Sequence, residues 1–143
     1  MKILVINGPN LNFLGIREKE IYGNRSYADL HSMISERAKE LNCEVDFFQS
    51  NHEGDIIDRI QDAYADGTEG IIINPGAYSH YSYAIYDALL SVPIPKVEVH
   101  ISDIGKLEEF RQKSVTAPAC NETIMGEGFE GYLHGIDILL SLN

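Results

Sequence analysis

Short apolar runs that end abruptly constrain the fold of this chain more than any other feature. Residues 3–6 are all aliphatic and stop at an Asn-Gly-Pro sequence, and residues 71–73 are three isoleucines that stop at Asn-Pro-Gly. A strand that is apolar at successive positions buries both faces, which is typical of the centre of a parallel sheet. The polar residues after each run predict irregular loops at the carboxyl ends of these strands, where open α/β sheets bind ligands.

Strand and helix patterns alternate along the chain. They predict strands over residues 2–7, 44–48, 70–74 and 96–100, with a fifth inside 116–125. They predict helices over residues 26–41, 55–65, 81–90, 106–112 and 129–142. Five β–α units in about 140 residues are typical of a three-layer α/β sandwich, with a flavodoxin-like, five-stranded parallel sheet of order 2-1-3-4-5. We therefore expect a single flavodoxin-like domain over residues 1–143.

Two helices have well-defined apolar faces. Ser26 can cap the first helix. The face of that helix consists of Leu30, Met33, Ile34, Ala38 and Leu41. The stripe of the last helix consists of Phe129, Leu133, Ile136, Leu139 and Leu140. These side chains are the predicted contacts between the helices and the sheet.

The charge and the cysteines restrict the classes of partner. The formal net charge is -11 and the sequence pI is about 4.7, which argues against a nucleic-acid or acidic-membrane partner. Cys43 and Cys120 are far apart and form no C-x-x-C pattern, which favours reduced thiols in the cytoplasm. The sequence shows neither a secretory signal nor an apolar run long enough to span a bilayer.

Polar residues follow three of the predicted strands, and right-handed crossovers bring these loops to one edge of the sheet. The loops contain Asn10, Asn12, Arg17 and Tyr22, then residues 74–80, and then residues 98–102, with Arg111 farther on. Amide side chains both donate to and accept from hydroxyl groups, and a guanidinium fork fits a carboxylate. The set predicts a site for a small, polyhydroxylated carboxylic acid.

Arg17 and Tyr22 suggest a base. A free phenol is ionised only about one part in a thousand at pH 7. A permanently charged guanidinium nearby lowers the pKa of the phenol, and a phenolate can accept a proton. Gly15 and Gly23 bracket this segment, which predicts a lid that closes over the substrate.

Several motifs resemble those of the type II 3-dehydroquinate dehydratase family. Asn-Gly-Pro-Asn-Leu-Asn at 7–12, Leu-Gly-x-Arg-Glu at 14–18 and Tyr-Gly at 22–23 look like its N-terminal signature. Asn-Pro-Gly-Ala-Tyr-Ser-His at 74–80 and Val-Glu-Val-His-Ile-Ser at 97–102 resemble its second and third motifs. Glu-Glu-Phe-Arg at 108–111 and Gly-Phe-Glu-Gly-Tyr at 128–132 extend the resemblance over nearly the whole chain.

The resemblance implies a dehydration in the shikimate or quinate pathway. Water is removed from 3-dehydroquinate to give 3-dehydroshikimate, by anti elimination through an enolate and without a metal or organic cofactor. It implies that Tyr22, deprotonated beside Arg17, takes a proton from the carbon α to the ketone, while Asn12 helps hold a water that stabilises the enolate. It also implies that His100 protonates the departing hydroxyl, and that Glu98 steadies its imidazole.

The resemblance further implies how the substrate is held and how the chains assemble. The implied substrate-binding residues are Asn74, His80, Ile101 through its backbone, Ser102 and Arg111, with Arg111 at the carboxylate. Asp87 matches an aspartate that reaches the site of a neighbouring subunit. The family is a homo-oligomer, usually a dodecamer built as a tetramer of trimers.

Four places in the chain depart from the family pattern. Lys19 stands in place of a proline, Asp103 in place of an asparagine, Gly-Lys-Leu at 105–107 in place of His-x-Arg, and Tyr86 in place of an arginine. None of these changes removes a proposed catalytic residue. An extra carboxylate at Asp103, close to an anion site, is expected to weaken substrate binding and to leave the type of reaction unchanged.

Other interpretations of the sequence remain open. One is a flavodoxin-like FMN-binding or interaction module, although the first loop is poor in the Ser, Thr and Gly that cradle a phosphate. Another is a non-catalytic paralogue, or a related lyase that acts on a different acid. Glu98, His100 and Asp103 suggest a metal site, but no second ligand cluster accompanies them, and we expect no metal.

Overall fold

The computed structural model describes residues 1–16 and 24–143. At its centre is a five-stranded sheet whose strands, numbered along the chain, lie in the order 2-1-3-4-5, and each pairing of neighbouring strands is parallel. The strands are β1 (Lys2–Asn7), β2 (Glu44–Gln49), β3 (Gly70–Asn74), β4 (Lys96–His100) and β5 (Glu122–Met125). The predicted α/β fold and strand order are therefore confirmed.

Helices cover both faces of the sheet. They are α1 (Tyr27–Glu40), α2 (Glu53–Ala63), α3 (Tyr83–Ser91) and α4 (Glu130–Ser141). Successive strand side chains point to opposite faces, so Ile3 and Val5 join the core under α1 and α4. Leu4 and Ile6 join the core under α2 and α3. The apolar run at residues 3–6 therefore contributes side chains to the hydrophobic cores on both faces of the sheet.

Burial follows the position of each strand in the sheet. Residues 3–6 of β1 and residues 71–73 of β3 are fully buried, whereas no residue of the edge strand β2 is. In the described ranges, no helix combines the length and the apolar character needed to cross a bilayer.

Helix α1 begins where the sequence predicts. Ser26 Oγ accepts a 3.1 Å hydrogen bond from Asp29 N, and the Asp29 carboxylate accepts one of 2.9 Å from Ser26 N. This reciprocal pair satisfies backbone donors that a helix start otherwise leaves unpaired. On the predicted apolar face, Leu30, Ile34 and Ala38 are buried, while Met33 and Leu41 are half-buried.

The prediction of a helix over residues 106–112 is wrong. Two separate 3-10 turns, Ile104–Lys106 and Glu109–Arg111, occupy this region. The Asp103 side chain caps the first turn, and Glu108, with ψ 149°, is extended between the two. An extended residue interrupts the i to i-4 hydrogen bonds, so a continuous helix cannot form here.

Smaller differences occur at element ends. Helix α2 begins at Glu53, two residues before the prediction, and α3 begins at Tyr83, two residues after it. The later start of α3 has a local cause, because Ser82 Oγ accepts a hydrogen bond of 3.0 Å from Ile85 N and caps the helix there.

Candidate functional site

The loops after β1, β3 and β4 meet at the carboxyl edge of the sheet and enclose one cleft. Six predicted site residues line it: Asn74, His80, His100, Ile101, Ser102 and Arg111. The remaining lining consists of Pro9, Asn10, Leu11, Gly76, Ala77, Ile104 and Leu107. Parallel strands end at the same edge, so groups that are far apart in the sequence share one cavity.

The other predicted residues lie elsewhere. Glu98 is fully buried beside His100, and the exposed Asn12 and Asp87 lie outside the cleft lining. Arg17 and Tyr22, together with the predicted lid, lie outside the described residues.

The first and second loops pack directly on each other at Gly8. Gly8 N donates a 2.8 Å hydrogen bond to Asn74 O. A Cβ at this position would lie 2.3 Å from Pro75 O, closer than any side chain tolerates. Glycine at residue 8 therefore allows the backbone contact that sets the distance between two cleft walls.

A buried network fixes Asn74. Its Nδ2 donates to Tyr132 Oη at 2.9 Å, and its Oδ1 accepts from Gly76 N at 3.1 Å. Tyr132 Oη in turn donates to Asn7 Oδ1 at 2.6 Å. The Asn74 amide nitrogen carries two hydrogens, so one remains to donate to a ligand in the cleft.

Tyr132 is a residue that the sequence interpretation missed. It is fully buried on α4, whereas Leu133 and Leu140 of the predicted stripe are only half-buried. A buried phenol needs a polar partner, and the aligned ends of β1 and β3 supply one each, in Asn7 and Asn74. The motif at 128–132 was the available signal, but it did not indicate this partner.

Asn12 is held by a neighbour from β2. Gln49 Nε2 lies 3.4 Å from Asn12 Oδ1 and 3.2 Å from Gly8 O, and Asn51 Oδ1 accepts from Asn10 N at 3.0 Å. The amides of β2 and of the loop after it thus support the first loop from outside the cleft.

His100 and Glu98 form a buried pair. They occupy alternate positions of β4 and point to the same face, and His100 Nε2 lies 2.7 Å from Glu98 Oε2. Their side chains are 6% and 0% exposed, so water does not compete for this contact. A carboxylate oxygen is an acceptor, so Nε2 is the protonated nitrogen and Nδ1 is the ring nitrogen not engaged with Glu98.

Two hydroxyl groups complete the surroundings of Glu98. Ser114 Oγ donates to Glu98 Oε2 at 2.6 Å, and Thr116 Oγ1 donates to Glu98 Oε1. Neither hydroxyl belongs to a motif that predicted a site residue. A buried carboxylate requires donors, but nothing in the spacing shows that an irregular segment sixteen residues downstream of Glu98 supplies them.

The half-buried thiol of Cys120 lies near the same carboxylate. Burial, followed by the negative charge of Glu98, raises the pKa of Cys120 to about 12, although Lys96 acts in the opposite direction. The thiol therefore stays protonated and adds no negative charge beside Glu98. Burial also lowers the pKa of Lys96, whose Nζ donates to the carbonyls of Val92 and Ile94.

His80 is oriented by the same downstream segment. Its Nδ1 lies 2.9 Å from the carbonyl oxygen of Lys113. Because a carbonyl accepts only, Nδ1 donates, and in the neutral ring Nε2 is left as an acceptor. This arrangement suits a substrate hydroxyl at the cleft wall.

Arg111 supplies the positive charge of the described cleft lining. Its side chain is 38% exposed, its Nε contacts Glu108 at 2.8 Å, and its guanidinium lies 5.0 Å from the centre of the Phe110 ring. The ion pair uses one edge of the guanidinium. The terminal nitrogens remain available for a fork-like contact with a carboxylate, next to Ser102.

Asp103 does not line the cleft. Its Oδ1 accepts a 3.0 Å hydrogen bond from Gly105 N and caps the turn that follows β4. The carboxylate therefore has a local structural partner. Within residues 1–16 and 24–143, no group of three or more His, Cys, Asp and Glu side chains is arranged to hold a metal ion.

Comparisons with known proteins identify the family of this chain. Residues 1–140 match the family described as Dehydroquinase class II. The chain is 63% identical over 143 residues to the 3-dehydroquinate dehydratase of Lachnoclostridium phytofermentans, a match that covers 100% of this chain and 99% of that protein.

Two crystal structures of type II dehydroquinases are similar to this one. For the protein from Butyrivibrio crossotus the TM-score is 0.97 at 64% identity, over 98% of this chain and 97% of that chain. For the protein from Propionibacterium acnes it is 0.94 at 42% identity, over 98% and 96% of the two chains. The shared sheet, the motif-bearing loops around its cleft and the match over nearly the whole length establish that this chain belongs to the class II dehydroquinase family.

Proposed function

We propose that this protein dehydrates 3-dehydroquinate to 3-dehydroshikimate in the shikimate or quinate pathway. The observation that carries the proposal is the buried His100–Glu98 pair, which opens onto the same cleft as Arg111, His80 and Ser102. An oriented imidazole beside a carboxylate-binding group is what an acid-assisted elimination from a hydroxy acid requires. Family membership supplies the identity of the substrate.

In the proposed reaction, Tyr22 is the base. Arg17 lowers the pKa of its phenol, and the phenolate takes the proton from the carbon α to the ketone. The electrons of the broken C–H bond move into the carbonyl to form an enolate, which a water held by Asn12 stabilises.

His100 completes the elimination as the acid. Its imidazolium transfers a proton to the leaving hydroxyl, the enolate electrons form the new C=C bond, and the C–O bond breaks to release water. Glu98 holds Nε2–H of the ring and stabilises its positive charge. Every step moves protons and electron pairs between protein side chains and substrate, so we propose that no metal or organic cofactor takes part.

The cleft lining suggests how the substrate is held. Arg111 binds the carboxylate, assisted by Ser102 and the backbone of Ile101. Asn74 donates its second amide hydrogen, and His80 Nε2 accepts from a ring hydroxyl. Positioning by several weak contacts brings the reacting carbon to the base and its hydroxyl to the acid.

We also propose a cytoplasmic homo-oligomer, a dodecamer built from trimers, in which Asp87 contributes to the site of a neighbouring subunit. The exposed surface of α3 supports this, since Asp87 shares it with Tyr83 (64% exposed) and Leu90 (56% exposed). Large exposed apolar side chains around a charged group are common at subunit contacts. Light scattering after size-exclusion chromatography tests the assembly, and a monomeric mass would contradict it.

The direct test of the function is an ultraviolet assay. The product is a conjugated enone, so pure protein mixed with 3-dehydroquinate should produce a rising absorbance, and dialysis against a chelator should leave the rate unchanged. Absence of any rise with folded protein would refute the proposed reaction. A flavin spectrum in the purified protein would instead favour the FMN-binding alternative.

A further inference from the structure

We infer that Ser114 and Thr116 are positioning residues that set the tautomer and orientation of His100 through Glu98. The inference rests on the proposed function for its kinetic consequence, although its structural consequence can be measured without substrate. It assigns a role to a segment that lies outside β4 and outside the cleft lining.

Both carboxylate oxygens of Glu98 accept hydrogen bonds from protein groups. Oε2 accepts from His100 and from Ser114 at 2.7 and 2.6 Å, and Oε1 accepts from Thr116. Glu98 and Thr116 are fully buried, so water cannot replace a lost donor. If the Thr116 hydroxyl is removed, Oε1 is left unsatisfied and the carboxylate can rotate away from the imidazole.

Ser114 and the segment around it are themselves fixed by backbone hydrogen bonds. Ser114 Oγ accepts a 3.0 Å bond from Ala117 N and donates its single proton to Glu98 Oε2 at 2.6 Å, with Thr116 Oγ1 3.2 Å away. Val115 N donates to Ser79 O at 2.7 Å, which anchors the segment on the loop after β3. Glu98 is thereby oriented by backbone contacts rather than by rotatable side chains alone.

The same segment also orients His80, the other histidine of the cleft. The carbonyl of Lys113 accepts from His80 Nδ1 at 2.9 Å, one residue before Ser114. A single irregular stretch therefore sets the tautomers of both imidazoles. Its displacement would disturb substrate binding at His80 and proton donation at His100 together.

Two titratable side chains near Glu98, Cys120 and Lys96, do not replace Ser114 and Thr116 as its hydrogen-bond donors. Cys120 stays a neutral thiol, because burial raises its pKa to about 12. The Lys96 ammonium donates to Val92 O and Ile94 O at 2.8 and 2.7 Å. Among the described residues, the hydrogen-bond donors to Glu98 are thus His100, Ser114 and Thr116.

The kinetic test uses Thr116→Val, which keeps the shape and removes the donor, together with Ser114→Ala and the double variant. We expect kcat for dehydration to fall by about ten- to a hundredfold, with a smaller change in KM. Exchange of the α-proton of 3-dehydroquinate with D2O should fall less, because that step uses the base and not His100. Thr116→Ser restores the donor and should recover most of the lost kcat.

A matched control is Thr68→Val. Thr68 is also buried and its hydroxyl donates 2.6 Å to Asp66, but it lies before β3, at the opposite edge of the sheet. The control should lose stability without any change in the ratio of dehydration to proton exchange. Equal kinetic losses in Thr68→Val would show that the effect at Thr116 is only structural.

The second readout is the nitrogen-15 NMR spectrum of the His100 ring, assigned by comparison with His100→Gln. At a pH where the ring is neutral, wild-type protein should show the proton on Nε2, and the double variant should show a mixture of tautomers. If the double variant fails to fold, the single variants decide the outcome.

Unchanged tautomer and unchanged kcat in folded variants would overturn the inference. A parallel loss of dehydration and proton exchange would overturn it as well. A wild-type protein that does not dehydrate 3-dehydroquinate would refute the proposed function, yet the NMR comparison would still decide the role of Ser114 and Thr116.

Discussion

The hydroxyl of Tyr132 donates a 2.6 Å hydrogen bond to Asn7 Oδ1, across 125 positions of the chain. It also accepts from Asn74, the residue paired with Asn7 in the sheet register. Helix α4 thus ties together the ends of the two strands from which the first and second cleft loops leave. The contact couples the stability of the core to the geometry of the site.

Tyr132→Phe should lower the free energy of unfolding by about 1–3 kcal/mol, because two buried amide groups lose their partner. Urea denaturation measures the loss. Tyr78→Phe is the matched control, since the Tyr78 hydroxyl donates to Asn51 O at an exposed position and its loss should cost less. Equal stability of Tyr132→Phe and wild type would contradict the role given to this network.

Tyr22→Phe removes the proposed base. We expect kcat to fall by about 10²–10⁴-fold, the usual contribution of a positioned acid or base. Calorimetry should show that the inactive variant still binds 3-dehydroquinate, because the phenol acts on the transition state. Tyr64→Phe, at a residue 70% exposed, should behave as wild type. Full activity of Tyr22→Phe would mean that another group is the base.

His100→Ala should stop dehydration and still permit exchange of the α-proton of the substrate with D2O. The reason is that the base can still remove the α-proton and give a proton back to the enolate. Without His100, no acid protonates the leaving hydroxyl. Proton NMR of the substrate follows the exchange, and the exposed His52→Ala serves as the control. Loss of exchange along with dehydration would place His100 in the first step as well.

Arg111→Lys keeps the positive charge but loses the planar fork. We expect KM to rise by about tenfold, equivalent to about 1.4 kcal/mol of binding free energy, with a smaller change in kcat. Steady-state kinetics measures both constants. Arg59→Lys is the control, because Arg59 pairs with Asp66 at 3.0 Å and does not line the cleft. An unchanged KM would remove Arg111 from the carboxylate site.

His31 predicts a dependence of stability on pH. Burial lowers its pKa below the ordinary value of 6.5, and its Nε2 has no hydrogen-bond partner among the described residues. As the pH falls below about 6.5, the unfolded chain takes up a proton at His31 before the folded chain does, so wild type loses stability. The ring stacks on Phe47 with centroids 4.0 Å apart, which His31→Phe can preserve.

The stability of His31→Phe relative to wild type should therefore be greater at about pH 5.5 than at about pH 8. Urea denaturation at both pH values measures this difference. A difference that is the same at both pH values would show that His31 does not titrate differently in the folded and unfolded chains.

Much of the location of the candidate site could be predicted from the sequence. Apolar runs that stop at Asn7 and Asn74 indicated central strands, and parallel strands necessarily bring their following loops to one edge. The pair Glu98 and His100 was also readable, because alternate residues of a strand share a face. Six of the predicted site residues consequently line one cleft.

The helix predicted over residues 106–112 shows where local patterns fail. The sequence of residues 106–112 predicts one short helix. Capping by Asp103 and the extended backbone at Glu108 instead divide the region into two 3-10 turns. Such local alternatives differ by small free energies, and packing against the rest of the molecule selects between them.

By itself, the sequence determined the sheet order, the edge at which the candidate cleft lies and the side-chain types available there, because the apolar strand patterns and the residue types are present in the sequence. Only the tertiary structure decided which groups orient that chemistry: Tyr132 for Asn74, and Ser114 and Thr116 for Glu98. A buried polar group must find a partner, but the chain can supply that partner from any distance along its length. Only folded coordinates therefore show which residue supplies it.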